Sequence, residues 1–196
     1  MLVLTVQGVW IRHGMETSWV DAAVDAKVAA GLGGHPRLLA VLVWPGGLPA
    51  IAGMTVVVIL VCLMWHRYRD AALLAISIPA AAVITERLLK PLIGGTSWGY
   101  PFPSGHVTGV VALATALTVL IARAPRPLRL VLALTAFLIA GSVALGVIGA
   151  QMHHFSDTIG GAAVGIGTVL AVALILDLLF STRHRQLRDE GQAQGP

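Results

Sequence analysis

Two short stretches of the chain carry residue types that do chemistry together. They are Pro103-Ser104-Gly105-His106 and, further along, His153-His154-Phe155-Ser156-Asp157. His153 and Asp157 are spaced i, i+4, which stacks them on one face of a helix. A carboxylate beside an imidazole fixes its tautomer, favours its charged form and raises its basicity. That suits a nucleophilic or general-base histidine. Ser104 and Gly105 stand immediately before an apolar run that opens at His106. A helix starting there offers free backbone N–H groups and the positive end of its dipole, a ready anion site, and Gly105 lets the main chain approach closely. His106 would stand beside that anion, placed to protonate a leaving group. Lys90 adds a positive charge. These residue types together point to phosphoryl transfer from a phosphomonoester or diphosphate.

The elements that position these groups are read from hydropathy. The chain is 57% hydrophobic with a mean hydropathy of +0.85, and only 11% of it is charged, against about 25% in soluble domains. That excludes an ordinary soluble domain. The expected partners are the lipid bilayer and a membrane-lipid substrate, with no nucleic acid. In lipid only helices or closed barrels can span, and long continuous apolar runs favour helices. The expectation is an all-α integral membrane protein of five to six transmembrane helices with an amphipathic N-terminal segment. Five spans of roughly the 20 residues needed to cross fall at Leu48–Trp65, Ala71–Leu92, His106–Ile121, Leu128–Ala150 and Thr158–Phe180. The domain reading is residues 1–47 as an interfacial segment, 48–180 as the transmembrane body and 181–196 as a basic tail. Between Thr17 and Val43, Asp21, Asp25 and Lys27 mix with Val20, Val24, Val28 and Leu32. This reads as one or two helices lying at the interface, with a tilted extra span through Leu38–Val43 as the alternative. Cys62 lies inside an apolar run, so no disulfide framework exists.

Arginines set the orientation. Arg67 and Arg69 follow the first span, Arg123, Arg126 and Arg129 follow the third, and Arg183, Arg185 and Arg188 follow the fifth. The facing loops, Pro91–Gly105 and Gln151–Asp157, hold no Lys or Arg. The positive-inside rule makes the arginine side cytoplasmic, so Lys90, His106, His153 and Asp157 share the outer face. Ionisable residues at membrane depth are functional-site candidates by default.

Plainer readings exist for each residue. Pro103 and Ser104 also suit a simple helix start. Lys90 could snorkel to headgroups or pair with Glu86 at i, i+4. His154 is i, i+3 from Asp157 and is expected to be a residue of the pocket mouth. Trp98, Tyr100 and Phe102 read as an interfacial aromatic belt. Asp177 reads as a cytoplasmic-edge residue, and the basic tail as an orientation signal with attraction to anionic lipid.

With these residues in view, the chain resembles the type 2 phosphatidic acid phosphatase superfamily, the lipid phosphate phosphatases related to vanadium haloperoxidases. That signature runs lysine, six residues, Arg-Pro; then Pro-Ser-Gly-His; then Ser-Arg, five residues, His, three residues, Asp. Pro103–His106 matches the middle part intact, His153 and Asp157 match the third at the right spacing with Gly160 and Gly161 following, and Lys90 matches the first lysine. The likeness covers roughly Ala71–Phe180. It implies that His153 is a nucleophile forming a phosphohistidine, that Asp157 orients it and that His106 protonates the leaving group. Lys90, Ser104 and Gly105 would hold the phosphate oxygens, and no metal or other cofactor is required. Two positions depart from the pattern. Ser97 and Trp98 stand where the family has Arg-Pro, and Gly146 and Val147 where it has Ser-Arg; a variant position for the first arginine holds Gly95. A charged hydrogen bond is worth about 1.5–3 kcal/mol, so two missing guanidiniums matter, and Arg87, one turn before Lys90, is the candidate substitute.

The expected function is hydrolysis of a lipid phosphomonoester or diphosphate at the extracytoplasmic face. Candidate substrates are a polyprenyl phosphate or diphosphate, phosphatidic acid or phosphatidylglycerophosphate. An Ala/Val/Leu-heavy composition suggests a bacterial plasma membrane and envelope synthesis. Two rivals remain: a zinc-dependent intramembrane hydrolase using His106, His153, His154 and Asp157, and a non-catalytic lipid-phosphate-binding protein of the same fold.

Overall fold

The computed structural model describes residues 18–93, 102–122 and 124–193, with side chains as far as Phe180. Within them every regular element is helical. In chain order these are α1 (Trp19–Leu32), α2 (Pro36–Val43), α3 (Leu48–Met64), α4 (Tyr68–Ile93), α5 (Gly105–Leu120), α6 (Arg126–Gly149) and α7 (Phe155–Ala193).

Local sequence sets the ends. Ser18 caps α1, its hydroxyl accepting from Val20 N at 3.3 Å, and prolines open α2, α3 and α6, where a missing N–H costs nothing. The helix α3 and the helix α6 each close in the same way. Arg67 N donates to Cys62 O and His66 N to Leu63 O; Met152 N donates to Val147 O and Gln151 N to Ile148 O. This is the Schellman bonding pattern. It turns on His66 (φ 55) and Gln151 (φ 54), both in the left-handed region. The second of these turns delivers the chain directly into His153.

Three helices are long and apolar enough to cross a membrane: α4, α6 and the part of α7 from Phe155 to Phe180. A fourth is counted if α2 and its following turn join α3 across a 43° bend. The Leu38–Val43 stretch thus lies in the first helix of a bent apolar pair. All five expected spans are helices, but α5 has 16 residues, a rise of about 24 Å against a hydrocarbon thickness of about 30 Å. It is also the most enclosed. Val107, Ala112 and Ala116 are buried on it, packed with Leu74 of α4, Val143 of α6 and Val169 of α7. Outward, Val56, Leu130, Leu134, Leu138, Leu174 and Leu178 are exposed, an apolar surface that water would not tolerate at this extent and lipid would. The protein is a membrane protein.

Close approach of α5 and α7 depends on glycine. A Cβ on Gly161 would lie 2.6 Å from Ser104 O and 3.2 Å from Thr108 N, and one on Gly165 would lie 2.8 Å from Thr108 O. The main chains therefore nearly touch, the usual device of helix pairs in lipid. At the opposite end of the bundle Arg67 donates to Leu120 O at 2.9 Å and pairs with Asp70 at 2.5 Å. Arg69 pairs there with Asp177, and Arg129 donates to Ala122 O at 2.8 Å. These described arginines gather at the end where α3 stops and α4 begins, and His106, His153 and His154 gather at the other. Arg123 and the side chains of Arg183, Arg185 and Arg188 lie outside the described residues.

Candidate functional site

Three helix ends meet at one end of the bundle: the close of α4 and the starts of α5 and α7. Main-chain and hydroxyl bonds lock them together. Ser104 N donates to Asp157 O at 3.1 Å. Thr108 Oγ1 donates to Ser104 O at 2.9 Å, and Thr85 Oγ1 of α4 donates in turn to Thr108 Oγ1 at 3.3 Å. Thr85 sits within a wider π turn spanning Ile84–Leu89. Such turns are frequent at functional sites because the extra residue re-aims the side chains beyond it. Here those side chains are Glu86 and Lys90.

Asp157 is fully buried at the third helical position of α7. Its Oδ2 accepts from His154 N at 3.0 Å and faces His153 Nδ1 at 3.4 Å. The second contact is long, as catalytic pairs often are before substrate binds. It leaves Nε2 of His153 as the ring nitrogen free for chemistry. His106, half-buried at the start of α5, lies within electrostatic range of His153, Lys90 and Glu86. Lys90 Nζ pairs with Glu86 Oε1 at 2.6 Å, so one of its plainer readings is realised. The pair lies against the main chain at Gly105, where a Cβ would meet Glu86 Oε1 at 2.6 Å and Lys90 Nζ at 3.8 Å. An anion seated at the start of α5 must therefore share Lys90 with Glu86. Ser104 Oγ is buried and has no hydrogen-bond partner among the described residues.

The remaining expectations fare unevenly. Arg87 is exposed and makes no ion pair among the described residues. Gly146 and Val147, at the positions of the family's Ser-Arg, are packed shut: Val147 is fully buried, and a Cβ on Gly146 would lie 2.9 Å from Leu42 Cβ. The helix α2 lies against Gly146, the position where the family has serine. Phe102 corrects the aromatic-belt reading, because it is fully buried with its ring against Gly160. Gly95, Ser97, Trp98 and Tyr100 lie outside the described residues. No group of three or more His, Cys, Asp or Glu among the described residues could hold a metal ion, so the four-ligand zinc arrangement is not assembled. One reason is visible: His154 Nδ1 turns away to Asp25 Oδ2 at 2.7 Å.

That contact, and the role of Asp21, escaped sequence reading. The helix α1 rests on α6 and α7, with Asp21 buried. Its only signal in the sequence is an i, i+4 acidic pair within a helix whose one other charged residue is Lys27. A cavity of about 740 Å³ opens beside the same loop, bordered by Leu39, Val43, Trp44, Pro49, Gln151 and Met152. Its size lies in the range of small-molecule sites, roughly 300–1,000 Å³.

A family model, the PAP2 superfamily, matches residues 90–180, the stretch that holds Lys90, Ser104, Gly105, His106, His153 and Asp157. No curated protein and no solved structure matches the chain.

Proposed function

Since residues 90–180 belong to the PAP2 superfamily, we propose that the chain is a membrane phosphatase that hydrolyses a lipid phosphomonoester or diphosphate through a phosphohistidine. The observation that carries this reading is the buried Ser104 hydroxyl, which has no hydrogen-bond partner among the described residues, at the start of a 16-residue helix whose main chain bonds Asp157, the buried carboxylate that faces His153. A hydroxyl without a partner costs about 1–3 kcal/mol, and a phosphate oxygen at the helix start would satisfy it.

In the reaction, His153 Nε2 forms the N–P bond as the P–O bond to the leaving group breaks, an alcohol from a phosphomonoester or a lipid phosphate from a diphosphate. His106 gives its proton to the leaving oxygen. Water then attacks phosphorus, His106 takes up its proton, and the N–P bond breaks to restore His153. Lys90, Ser104 and Gly105 hold the phosphate oxygens, and no metal enters. The apolar outer surface and the cavity beside Met152 favour a lipid alcohol: a polyprenol, diacylglycerol or phosphatidylglycerol. Five spans, with the arginine end in the cytoplasm of a bacterium and the histidines facing outward, complete the proposal. Residues 1–47 form an N-terminal segment and 181–196 a basic tail.

A second reading, lipid-phosphate binding without turnover, is favoured by the Glu86–Lys90 pair and by the apolar filling at Val147. Phosphate release in detergent with EDTA throughout separates the two. The panel is phosphatidic acid, phosphatidylglycerophosphate and polyprenyl phosphates and diphosphates. Release by wild type but not by His153→Ala is the expected result; silence from wild type across the panel leaves binding alone.

Ser104→Ala tests the phosphate seat more finely. Stability and activity should move in opposite directions. Removing an unsatisfied buried hydroxyl should raise the melting temperature of the free protein, by roughly 1 kcal/mol of stability. The same change should lower kcat/KM about tenfold or more, through one lost hydrogen bond to a charged group. Unchanged kcat/KM would remove Ser104 from the site.

A further inference from the structure

The start of α7 is held by carboxylates from another part of the chain. Asp25 Oδ1 accepts from Phe155 N at 3.1 Å, and Asp25 Oδ2 pairs with His154 Nδ1 at 2.7 Å. One turn earlier on α1, Asp21 Oδ1 accepts from Ser156 N at 2.8 Å and Asp21 Oδ2 from Ser156 Oγ at 3.0 Å. Asp157 itself takes His154 N. The three successive amides of residues 154, 155 and 156 thus each end on a carboxylate, two of them reaching over from α1. A single capping side chain ordinarily suffices for a helix start. Negative charge is favoured there by the dipole, yet Asp21 is withdrawn from solvent almost completely. Residues 154–156 follow His153 directly, and the turn before it pivots on the left-handed Gln151. The loop carrying His153 is consequently clamped from both sides.

We propose that Asp25, acting through His154 with Asp21 on Ser156 as its second grip, positions His153 for attack on phosphorus. The N-terminal helix α1 is then part of the catalytic apparatus. This rests on the reading of His153 as nucleophile. The His153–Asp157 contact is long at 3.4 Å, so the ring's aim depends on how firmly the loop beneath it is held. A misplacement of the order of 1 Å can cost about a hundredfold in rate. Asp21 and Asp25 touch neither the ring nor the phosphate seat, so they are positioning residues.

The test uses the full-length protein in detergent micelles with dioctanoyl phosphatidic acid. It follows steady-state turnover and the rate at which acid-labile phosphoenzyme accumulates after rapid quenching. In Asp25→Ala, kcat and phosphoenzyme formation should fall about ten- to hundredfold, with KM within about threefold of wild type. His154→Ala removes the same contact from the other side and should do likewise. The double variant should be no slower than the slower single, because one interaction cannot be lost twice. Asp25→Asn keeps an acceptor for Phe155 N but loses the charge facing His154; it should resemble Asp25→Ala if the pair matters and wild type if capping alone does. Should Asp25→Ala fail to fold, His154→Ala carries the test. Rates within twofold of wild type, an effect confined to KM, multiplicative losses in the double variant, or wild-type behaviour of Asp25→Asn would each overturn the proposal. Wild type that forms no phosphoenzyme would overturn the phosphohistidine reading itself, and this outcome is read without any variant.

Discussion

Asp157→Asn should fold and yet lose about a hundredfold in kcat. Asparagine is nearly isosteric, and the Oδ2 position meets both His154 N at 3.0 Å and His153 Nδ1 at 3.4 Å. A carbonyl oxygen there still accepts from both, so the ring keeps its Nδ1 proton and the Nε2 lone pair that would attack phosphorus. What is lost is the negative charge that stabilises the imidazole as positive charge develops on it during attack. A hydrogen bond to a charged group is worth up to about 3 kcal/mol, a factor of about a hundred in rate. The helix start keeps Asp21 and Asp25, so its electrostatics do not collapse with the change. The check is kcat beside a melting curve followed by helicity in the same detergent. Loss of activity with preserved melting is the expected pair of results. A kcat within tenfold of wild type would show that the imidazole does not rely on this carboxylate.

How much of this could be read from residues alone depends on which physical constraint set each feature. Lipid forces backbone bonds to close within helices, so the apolar runs marked α3 to α7 to within a few residues: Leu48–Trp65 became Leu48–Met64, and Leu128–Ala150 became Arg126–Gly149. The chemistry-bearing residues were legible for a related reason, since His and Asp are too costly at membrane depth to be incidental. What escaped depends on contacts between distant segments. Asp21 and Asp25 looked like the polar edge of an interfacial helix, because an acidic pair at i, i+4 says nothing about a helix start far along the chain. Phe102 read as a headgroup-level aromatic because its neighbours are Pro101 and Pro103; its burial comes from the gap left by Gly160. The π turn at Ile84–Leu89 has no sequence mark, since Thr85 and Glu86 would read the same in a regular helix. Val147 shows the reverse case. Its apolar identity was visible, and its complete burial, beside a Gly146 packed on Leu42 and Val43 of α2, needed the structure.

The same logic makes Gly161→Ala a damaging single methyl at the contact of α5 with α7. Its Cβ would sit 2.6 Å from Ser104 O and 3.2 Å from Thr108 N, both main-chain atoms that cannot swing aside as a side chain could. The helices α5 and α7 must separate. Overpacking of a core by one methyl ordinarily costs about 1–3 kcal/mol, and contact with backbone places this case at the upper end. Activity should fall further than stability. The separation acts on the span between Ser104 N and Asp157 O, now bonded at 3.1 Å, and this bond sets the phosphate seat against the nucleophile's carboxylate. A displacement of about 1 Å there is enough for a hundredfold loss. Gly167→Ala supplies the contrast on the same helix, because nothing lies within 4 Å of its added Cβ. It should leave turnover unchanged and raise the melting temperature slightly, alanine being the better helix former by about 1 kcal/mol. Melting curves and phosphate release on the two variants side by side decide the matter. If Gly161→Ala melts and turns over like Gly167→Ala, the glycine contact does not hold the two helix starts together, and the alignment of Ser104 with Asp157 must come from the carboxylate clamp at the head of α7.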